Sequence, residues 1–275
     1  MKKLLAAFLA VMMLFAFAGC GAKTDENNAG TDSDKAEAQL AIACELTSEE
    51  YGIGFRKGSD LTETVNGYIT ELKEDGTLDK LAEKYELTIA DLNKSETEEA
   101  TLKDVDYVKA NGKMIIGITD YEPMNFKDEK DQWTGFDTEF ALAVCEKLGV
   151  QAEFVEIDWD NKFVALESKA IDCIWNGMTI SDDVLKNTSC SVAYVKNAQV
   201  VVMNKDDAAK YTTPESMKDL SFAVESGSAG ADAAEENNYA DVVEVGTQTD
   251  ALLEVKSGSC DACIIDLTMA NAMVK

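Results

Sequence analysis

The hydrophobic and polar positions of this chain alternate between short apolar runs and longer amphipathic stretches. The apolar runs are typical of buried strands and cover residues 114–118, 152–157, 171–175, 198–203, 220–224, 241–245 and 261–265. Between them, apolar residues recur at helical spacing over 137–148, 160–169, 228–238, 247–257 and 266–274. This alternation of strands and helices predicts an α/β fold with largely parallel sheets.

Residues 59–88 break that alternation, because they predict one helix directly after another. Asp60 and Glu63 have the spacing of a capping box, and Asp137 is the predicted N-cap of the 137–148 helix, which Gly149 ends. Two buried faces are expected in the 59–88 stretch, formed by Leu61, Val65, Ile69 and Leu72 and by Leu78, Leu81, Ala82 and Tyr85.

The first forty residues predict export. Lys2 and Lys3 precede the apolar run LLAAFLAVMMLFAFA, which leads into Ala-Gly-Cys at 18–20. This pattern resembles a bacterial lipoprotein signal peptide over 1–20, in which Cys20 becomes the lipidated, palmitate-bearing start of the exported chain. An ordinary cleaved signal or a membrane anchor is the alternative, although the run is short for a spanning helix, which needs about 20 apolar residues. Residues 21–39 are small and polar, as in a flexible tether.

The charge balance excludes several classes of protein. The chain has 25 Lys and Arg against 52 Asp and Glu, a formal net charge of −27, so it lacks the basic surface that binds nucleic acid or anionic lipid. It contains no histidine, which removes imidazole triads and imidazole zinc sites. We expect no metal and no cofactor. Arg56 is the only arginine.

The cysteines leave two possibilities open. Cys44, Cys145, Cys173, Cys190, Cys260 and Cys263 lie within apolar runs, which favours buried thiols, whereas export favours disulfides. Cys260 and Cys263 have CxxC spacing, but residues three apart on a strand point to opposite faces. A metal or redox role for this pair is therefore the less favoured interpretation.

Several motifs resemble the solute-binding proteins of polar amino-acid ABC importers, extracellular solute-binding protein family 3. The run GFDTEF at 135–140, followed by Val144, Cys145 and Leu148, is similar to that family's signature. The text at 112–129, 133–149 and 171–181 resembles its first lobe, and the text at 221–230 and 257–266 resembles its second. The resemblance implies a two-lobed periplasmic-binding-protein type II (Venus-flytrap) fold. In that fold, two strands cross between α/β lobes that enclose the ligand.

One segment of the resemblance is displaced. Residues 46–88 resemble the family's C-terminal segment, yet they precede everything else. We therefore predict a circular permutation, joined through a new linker at about 89–103; a broken or chimeric gene is the alternative. The predicted lobe 1 is then 55–198. Hinge strands and lobe 2 comprise 40–54 and 199–275, with crossings near 47–54 and 199–203.

A charged ligand needs partners for each charge, because burying an unpaired charge is costly. Asp266 follows an apolar strand and matches the family aspartate that binds the ligand ammonium; its structural alternative is the N-cap of the next helix. Gly227 and Ser228 precede a helix, where backbone N–H groups suit a carboxylate, although a plain glycine turn is the alternative.

The first lobe supplies the other candidates. Asn176, Gly177 and Thr179 match the family's main-chain clasp on the ligand, and Tyr121 and Trp175 are candidate aromatic walls, unless they belong to the core.

The chain departs from the family where its carboxylate-binding arginine should lie, because that position is Val184. Lys186 lies two residues further on and is a possible point charge, and Arg56 is not an assured replacement. Either Ser228 and backbone N–H groups hold the carboxylate, or the ligand lacks a free α-carboxylate. Met124 also replaces the usual aromatic residue of a family turn, which leaves side-chain preference open.

The resemblance implies an extracytoplasmic lipoprotein, anchored at the outer face of the bacterial cytoplasmic membrane. It would capture a small polar amino acid, or a related amine or zwitterion, and deliver it to an ABC permease. We expect it to act as a monomer and to perform no chemistry. The alternatives are a sensory ligand-binding lipoprotein and a dehydratase-like enzyme, for which Asp120 and Glu122 are the acids to test.

Overall fold

A computed structural model describes residues 39–92 and 99–274. The predicted signal peptide, Cys20 and the predicted tether up to residue 38 lie outside these residues. Across the two described stretches, no helix combines the length and the apolar character that a membrane span requires.

The described residues form strands and helices that follow the predicted alternation. In chain order they are β1 Leu40–Arg56, α1 Leu61–Glu74, α2 Thr77–Lys84, α3 Asp104–Asn111, β2 Lys113–Ile118, β3 Phe126–Lys127, β4 Trp133–Thr134, α4 Phe136–Leu148, β5 Gln151–Glu156, α5 Lys162–Glu167, β6 Cys173–Thr179, α6 Asp182–Asn187, β7 Thr188–Cys190, β8 Val195–Asn204, α7 Lys205–Ala208, β9 Ser221–Glu225, α8 Ala229–Glu236, β10 Asp241–Val245, α9 Gln248–Ser257, β11 Ala262–Asp266 and α10 Leu267–Met273. Short 3₁₀ turns lie at Trp159–Asn161 and Pro214–Met217. Each predicted strand is present, with boundaries that differ by a few residues.

A nine-stranded mixed sheet runs through the described residues in the order β10–β9–β11–β8–β1–β6–β2–β5, and β7 adds to β1. Strands β3 and β4 form a separate two-stranded sheet. Strands β10, β9 and β11 are mutually parallel, as are β6, β2 and β5. The antiparallel strands β8 and β1 join the two parallel blocks. We call β6–β2–β5 with its helices lobe 1 and β10–β9–β11 with its helices lobe 2.

Strand β1 is 17 residues long and passes from one lobe to the other. Its start pairs with β8 from Leu40 opposite Asn204, next to β11. Its middle, 47–51, pairs with 195–199, and its end pairs with β6 of lobe 1. At about 3.3 Å per residue, such a strand is long enough to connect two domains. The two strands that join the lobes are therefore paired with each other at the hinge.

The buried faces of α1 and α2 are as predicted. Leu61, Val65, Ile69 and Leu72 are all buried in the core of lobe 1, and Leu78 and Ala82 of α2 join them. Both helices therefore belong to lobe 1, although they precede its other elements in the chain.

Two predicted helix caps are wrong. Helix α4 begins after Gly135, and Asp137 is buried inside its first turn, where the carboxylate accepts hydrogen bonds from the Gly177 N–H and the Tyr194 hydroxyl. Asp60 occupies the N-cap position of α1, but its side chain makes no cap hydrogen bond and instead accepts from the Val105 N–H. In both cases the carboxylate accepts a hydrogen bond from a residue distant in the sequence, although local spacing predicted that it would cap its own helix.

Four of the described cysteines confirm the prediction of buried thiols. Free, buried thiols lie at Cys145, Cys173, Cys260 and Cys263, and Cys44 is free and half-buried. Burial raises the pKa of the Cys145 thiol to about 12. These thiols are packing groups at neutral pH, because the thiolate is the reactive form.

Candidate functional site

A cavity of about 220 Å³ lies between the two lobes, at the carboxyl ends of their parallel strands. Lobe 1 contributes the end of β6 and the turn before α5, and lobe 2 contributes the ends of β9 and β11. This volume is below the roughly 300–1,000 Å³ of sites for drug-sized ligands, so the cavity suits a small metabolite.

Asp266 lies at the base of the cavity, as predicted, and is 4% exposed. It holds the N-cap position of α10 but makes no cap hydrogen bond, so that alternative role is wrong for the side chain. Its carboxylate instead accepts from the side-chain amides of Asn197, Gln199 and Gln248. Burial raises the pKa of the Asp266 carboxyl. The hydrogen-bond donors to this carboxylate, which faces the cleft, are therefore neutral amides.

Glu49, which the sequence did not indicate, contacts the cavity-lining residue Thr179. It lies on β1 at the hinge, and its Oε1 accepts hydrogen bonds from the Thr179 hydroxyl at 2.8 Å, Asn197 at 2.6 Å and Gln199 at 2.8 Å. Burial, and then the nearby Asp266 charge, raise its pKa to about 7. Glu49 and Asp266 share two amide donors, which links the hinge to the cavity.

Glu225 is the second unpredicted acid. It ends β9, lines the cavity and is 3% exposed. Its Oε1 has no hydrogen-bond partner among the described residues. Burial, followed by the charge of Asp266, raises the pKa of Glu225 to about 8. A charged residue that ends an apolar strand just before a Gly-Ser turn was the signal that could have found it.

Gly227 and Ser228 lie where the sequence placed them, at the start of α8. Gly227 has φ +68°, and a Cβ there would approach the Asp160 backbone of lobe 1 within 2.8 Å. The Ser228 hydroxyl caps the helix by accepting from the Ala231 N–H at 3.2 Å. The turn thus approaches lobe 1 closely, and the first residue of α8, Ala229, also lines the cavity.

The clasp at Asn176–Thr179 uses its backbone and one hydroxyl. The Asn176 side chain is bonded to the backbone and hydroxyl of Thr119, so its amide is not available to a ligand. Gly177 has φ +54°, and a Cβ there would meet the Tyr121 ring at 2.6 Å. Its N–H donates to the Asp137 carboxylate at 2.6 Å. Burial raises the pKa of Asp137 to about 7.

Of the two predicted aromatic walls, only Tyr121 lines the cavity. Its hydroxyl lies 2.6 Å from that of Tyr51 on the hinge, and both contact the Thr268 hydroxyl of lobe 2. Trp175 is fully buried and packs edge-on against Phe140, with ring centroids 5.1 Å apart. The wall interpretation of Trp175 is therefore wrong, because its indole belongs to the core of lobe 1.

Val184, at the position of the missing arginine, is buried and lines the cavity. Lys186 is exposed and does not line it. Arg56 lies inside lobe 1, bonded to Asp104 at 3.0 Å and Asp172 at 3.1 Å, so it does not replace the arginine.

The cation that lines the described cavity is Lys162, which the sequence did not indicate. It is 7% exposed, and its Nζ donates to the Gly227 carbonyl at 2.8 Å and to the Trp159 carbonyl at 3.3 Å. Burial lowers the pKa of Lys162. An ammonium has three protons, so one donor remains for a ligand.

The predicted enzyme acids lie away from this cavity. Asp120 and Glu122 are exposed and do not line it, and Glu122 borders a separate groove on the surface. The cavity therefore offers neither of the acids that a dehydratase-like role was expected to use.

A two-lobed α/β fold with a cleft at the hinge defines a class of solute-binding proteins, and the comparisons identify the family. The profile of the bacterial extracellular solute-binding proteins, family 3, matches residues 114–254, and the chain belongs to this family. Truncated, arginine-bound ArgBP from T. maritima superposes with a TM-score of 0.59 at 33% identity, over 62% of this chain and 80% of that one. The fold predicted from the family resemblance is thus confirmed.

Two further relatives and one further solved structure show how far the similarity extends. The L-cystine-binding protein TcyJ of Escherichia coli (strain K12) is 28% identical over 172 residues, covering 61% of this chain. The arginine-binding extracellular protein ArtP of Bacillus subtilis (strain 168) is 31% identical over 174 residues, covering 59%. The chain spans 64% of the length of each. An ancestral amino acid-binding protein, AncCDT-1, a precursor of cyclohexadienyl dehydratase, superposes with a TM-score of 0.60 at 33% identity, over 62% and 77% of the two chains.

Proposed function

We propose that this protein binds a small polar solute, an amino acid or related amine, outside the cytoplasm and delivers it to an ABC import permease. The observation that carries the proposal is the cavity between the lobes, where Asp266, the clasp from Gly177 to Thr179 and the start of α8 converge. These groups are an anion, backbone carbonyls and N–H groups, which together suit the two ends of a zwitterion. Relatives named for arginine and cystine binding support this class of ligand.

The test is a thermal-shift screen of the purified protein against the twenty amino acids, cystine and small amines. Ligand that binds only the folded state raises the melting temperature by mass action. A second sample with Asp266→Asn should lose most of the shift, while the exposed Asp261→Asn should retain it. If no compound changes the melting temperature, the binding function is wrong.

The protein binds and releases its ligand unchanged in this proposal. The relatives named above are binding proteins, although one is a precursor of a dehydratase. Incubating the bound ligand with the protein and recovering it chemically intact would support binding without catalysis. A ligand that is consumed would favour the enzyme.

A lipid anchor at Cys20 is the second part of the proposal. It rests on the Ala-Gly-Cys sequence that follows the apolar run. The anchor would hold the binding lobes at the outer face of the cytoplasmic membrane, next to the permease. Cys20→Ser should release the protein from membranes into the soluble exported fraction; its retention on membranes would contradict the anchor.

A circular permutation is the third part. The long strand β1 places the displaced segment in the central sheet, and α1 and α2 pack into lobe 1 although they precede it. A chain in which residues 40–92 are moved behind residue 274 should fold and bind the same ligand. Failure of the rearranged chain to fold would contradict the permutation, provided that the original chain folds in parallel.

A further inference from the structure

The cavity is strongly acidic. Of the described side chains that line it, five are carboxylic acids and one is a cation; the acids are Asp160, Asp183, Glu225, Asp232 and Asp266. Glu49 adds a sixth carboxyl directly behind Thr179. In a partly buried site, where charges are weakly screened, this arrangement attracts positive charge and repels a second anion.

The carboxylates differ in the hydrogen-bond donors that their oxygens have. The oxygens of Asp266 accept from three side-chain amides, and Oε1 of Glu49 accepts from two amides and a hydroxyl. Glu225 interacts with the Gln248 side chain, but its enclosed Oε1 has no hydrogen-bond partner among the described residues. A buried carboxylate oxygen without a donor is costly, so a donor from the ligand would contribute more here than anywhere else in the cavity.

Few of the remaining polar groups are good partners for an anion. The Thr179 hydroxyl directs its proton at Glu49, so it can offer a ligand only lone pairs. Lys162 uses two of its donors on backbone carbonyls, and Val184 has none. The cavity can therefore hold one carboxylate, between Lys162 and the start of α8, but it has acceptors for more than one cationic group.

We propose that the cleft selects a ligand of net positive charge, which places an ammonium or guanidinium group against Glu225. This inference rests on the proposed binding function and narrows it. Asp266 takes one cationic group of the ligand, and Glu225 takes the other. The raised pKa of Glu225 agrees with this assignment, because a neighbouring cation would favour the ionised form that the empty cavity disfavours.

Matched ligands provide the first test, by calorimetry on the purified protein. Arginine is compared with citrulline, which has the same shape without the guanidinium charge, and lysine is compared with norleucine. Agmatine, which is arginine without its carboxylate, is the third arm. The charged member of each pair should bind at least about 30-fold more tightly than its neutral counterpart. This factor is the lower end of the range of effects seen when one partner of a buried charge pair is removed.

A pair of variants assigns the effect to Glu225. Glu225→Gln should abolish the preference for the charged member of each pair, whereas Glu235→Gln, on the exposed face of α8, should keep it. Equal binding of arginine and citrulline would overturn the cation proposal while leaving solute binding intact. Charge preference that survives in Glu225→Gln would overturn the role of Glu225. Only the absence of binding by every amino acid and amine would overturn the proposed function itself.

Discussion

The interior of lobe 1 and the cleft both bury charged groups, but they satisfy them in different ways. Inside lobe 1, Arg56 lies between Asp104 and Asp172, so opposite charges balance one another. In the cleft, Lys162 is bonded to carbonyls, Asp266 to amides, and Glu225 has an oxygen without a partner. Charges that balance internally stabilise the fold, whereas charges held by neutral groups are left for a ligand to balance.

The largest expected effect is in the lobe 1 interior. Arg56→Met leaves Asp104 and Asp172 buried without their cation, which should lower the free energy of unfolding by about 3–5 kcal/mol. Denaturant titration of the ligand-free protein measures this change. The control is Lys113→Met, whose exposed pair with Glu153 should contribute less than about 1 kcal/mol. Equal effects of the two variants would mean that the buried ion pairs contribute no more to the free energy of unfolding than the exposed pair does.

Lys162→Met should weaken ligand binding in the cleft without the loss of stability expected for Arg56→Met inside lobe 1. Its partners are carbonyls, so we expect little loss of stability in the ligand-free protein. Affinity for an amino acid should fall about 10- to 100-fold, in line with about 1.5–3 kcal/mol for a hydrogen bond to a charged group. Affinity for the amine that lacks the carboxylate should stay the same or rise. Calorimetry with both ligands tests the assignment, and an equal loss for both would contradict it.

The pH dependence of binding sharpens the role of Glu225. Its pKa of about 8 means that the empty cavity holds it mostly protonated at pH 7, and a cationic ligand must displace that proton. Affinity for a cation should therefore rise about eightfold from pH 6.5 to 7.5 and level off above about pH 9. The charged groups near Glu225 are Asp266, Lys162 and Asp250; the two acids raise the pKa of Glu225, and Lys162 lowers it.

Glu225→Gln is the control for this titration. Its affinity should change less over the same interval, because Glu49, whose pKa is about 7, then titrates behind Thr179 and not against the ligand. A slope that is unchanged in Glu225→Gln would assign the proton to Glu49 or Asp266 instead.

Local patterns predicted the fold well because buried strands are continuous apolar runs, as in β8 around 198–203. They predicted no strand within β1, where the family resemblance alone placed a crossing strand near 47–54. Strand β1 is held by pairing with β8 and β6, and such pairing leaves little mark on local sequence. Residues 199–203 of β8 pair with β11, so the part of β8 that lies between the two parallel blocks is 195–198.

The positions of Asp266 and Ser228 at the cavity could be predicted because each lies at or just after the end of an apolar run, at the edge where α/β sheets bind ligands. Their role in ligand binding stays a prediction. Glu49 and Lys162 were missed because only the pairing of β1 with β8 brings Glu49 behind Thr179, and only the approach of Gly227 brings Lys162 to the cavity. Trp175 was misassigned because an aromatic residue on a strand next to the clasp can face the core as well as the cleft.

The smallest expected effect concerns the other candidate cation of lobe 1, Lys186. It is exposed and borders a different surface cavity, near Arg56 and Asn187. Exposed charges farther apart than about 8 Å are largely screened at physiological ionic strength, so Lys186→Met should change ligand affinity less than about twofold. Calorimetry alongside Lys162→Met makes the comparison direct. A loss with Lys186→Met as large as with Lys162→Met would show that overall charge, and not the buried ammonium between the lobes, holds the carboxylate.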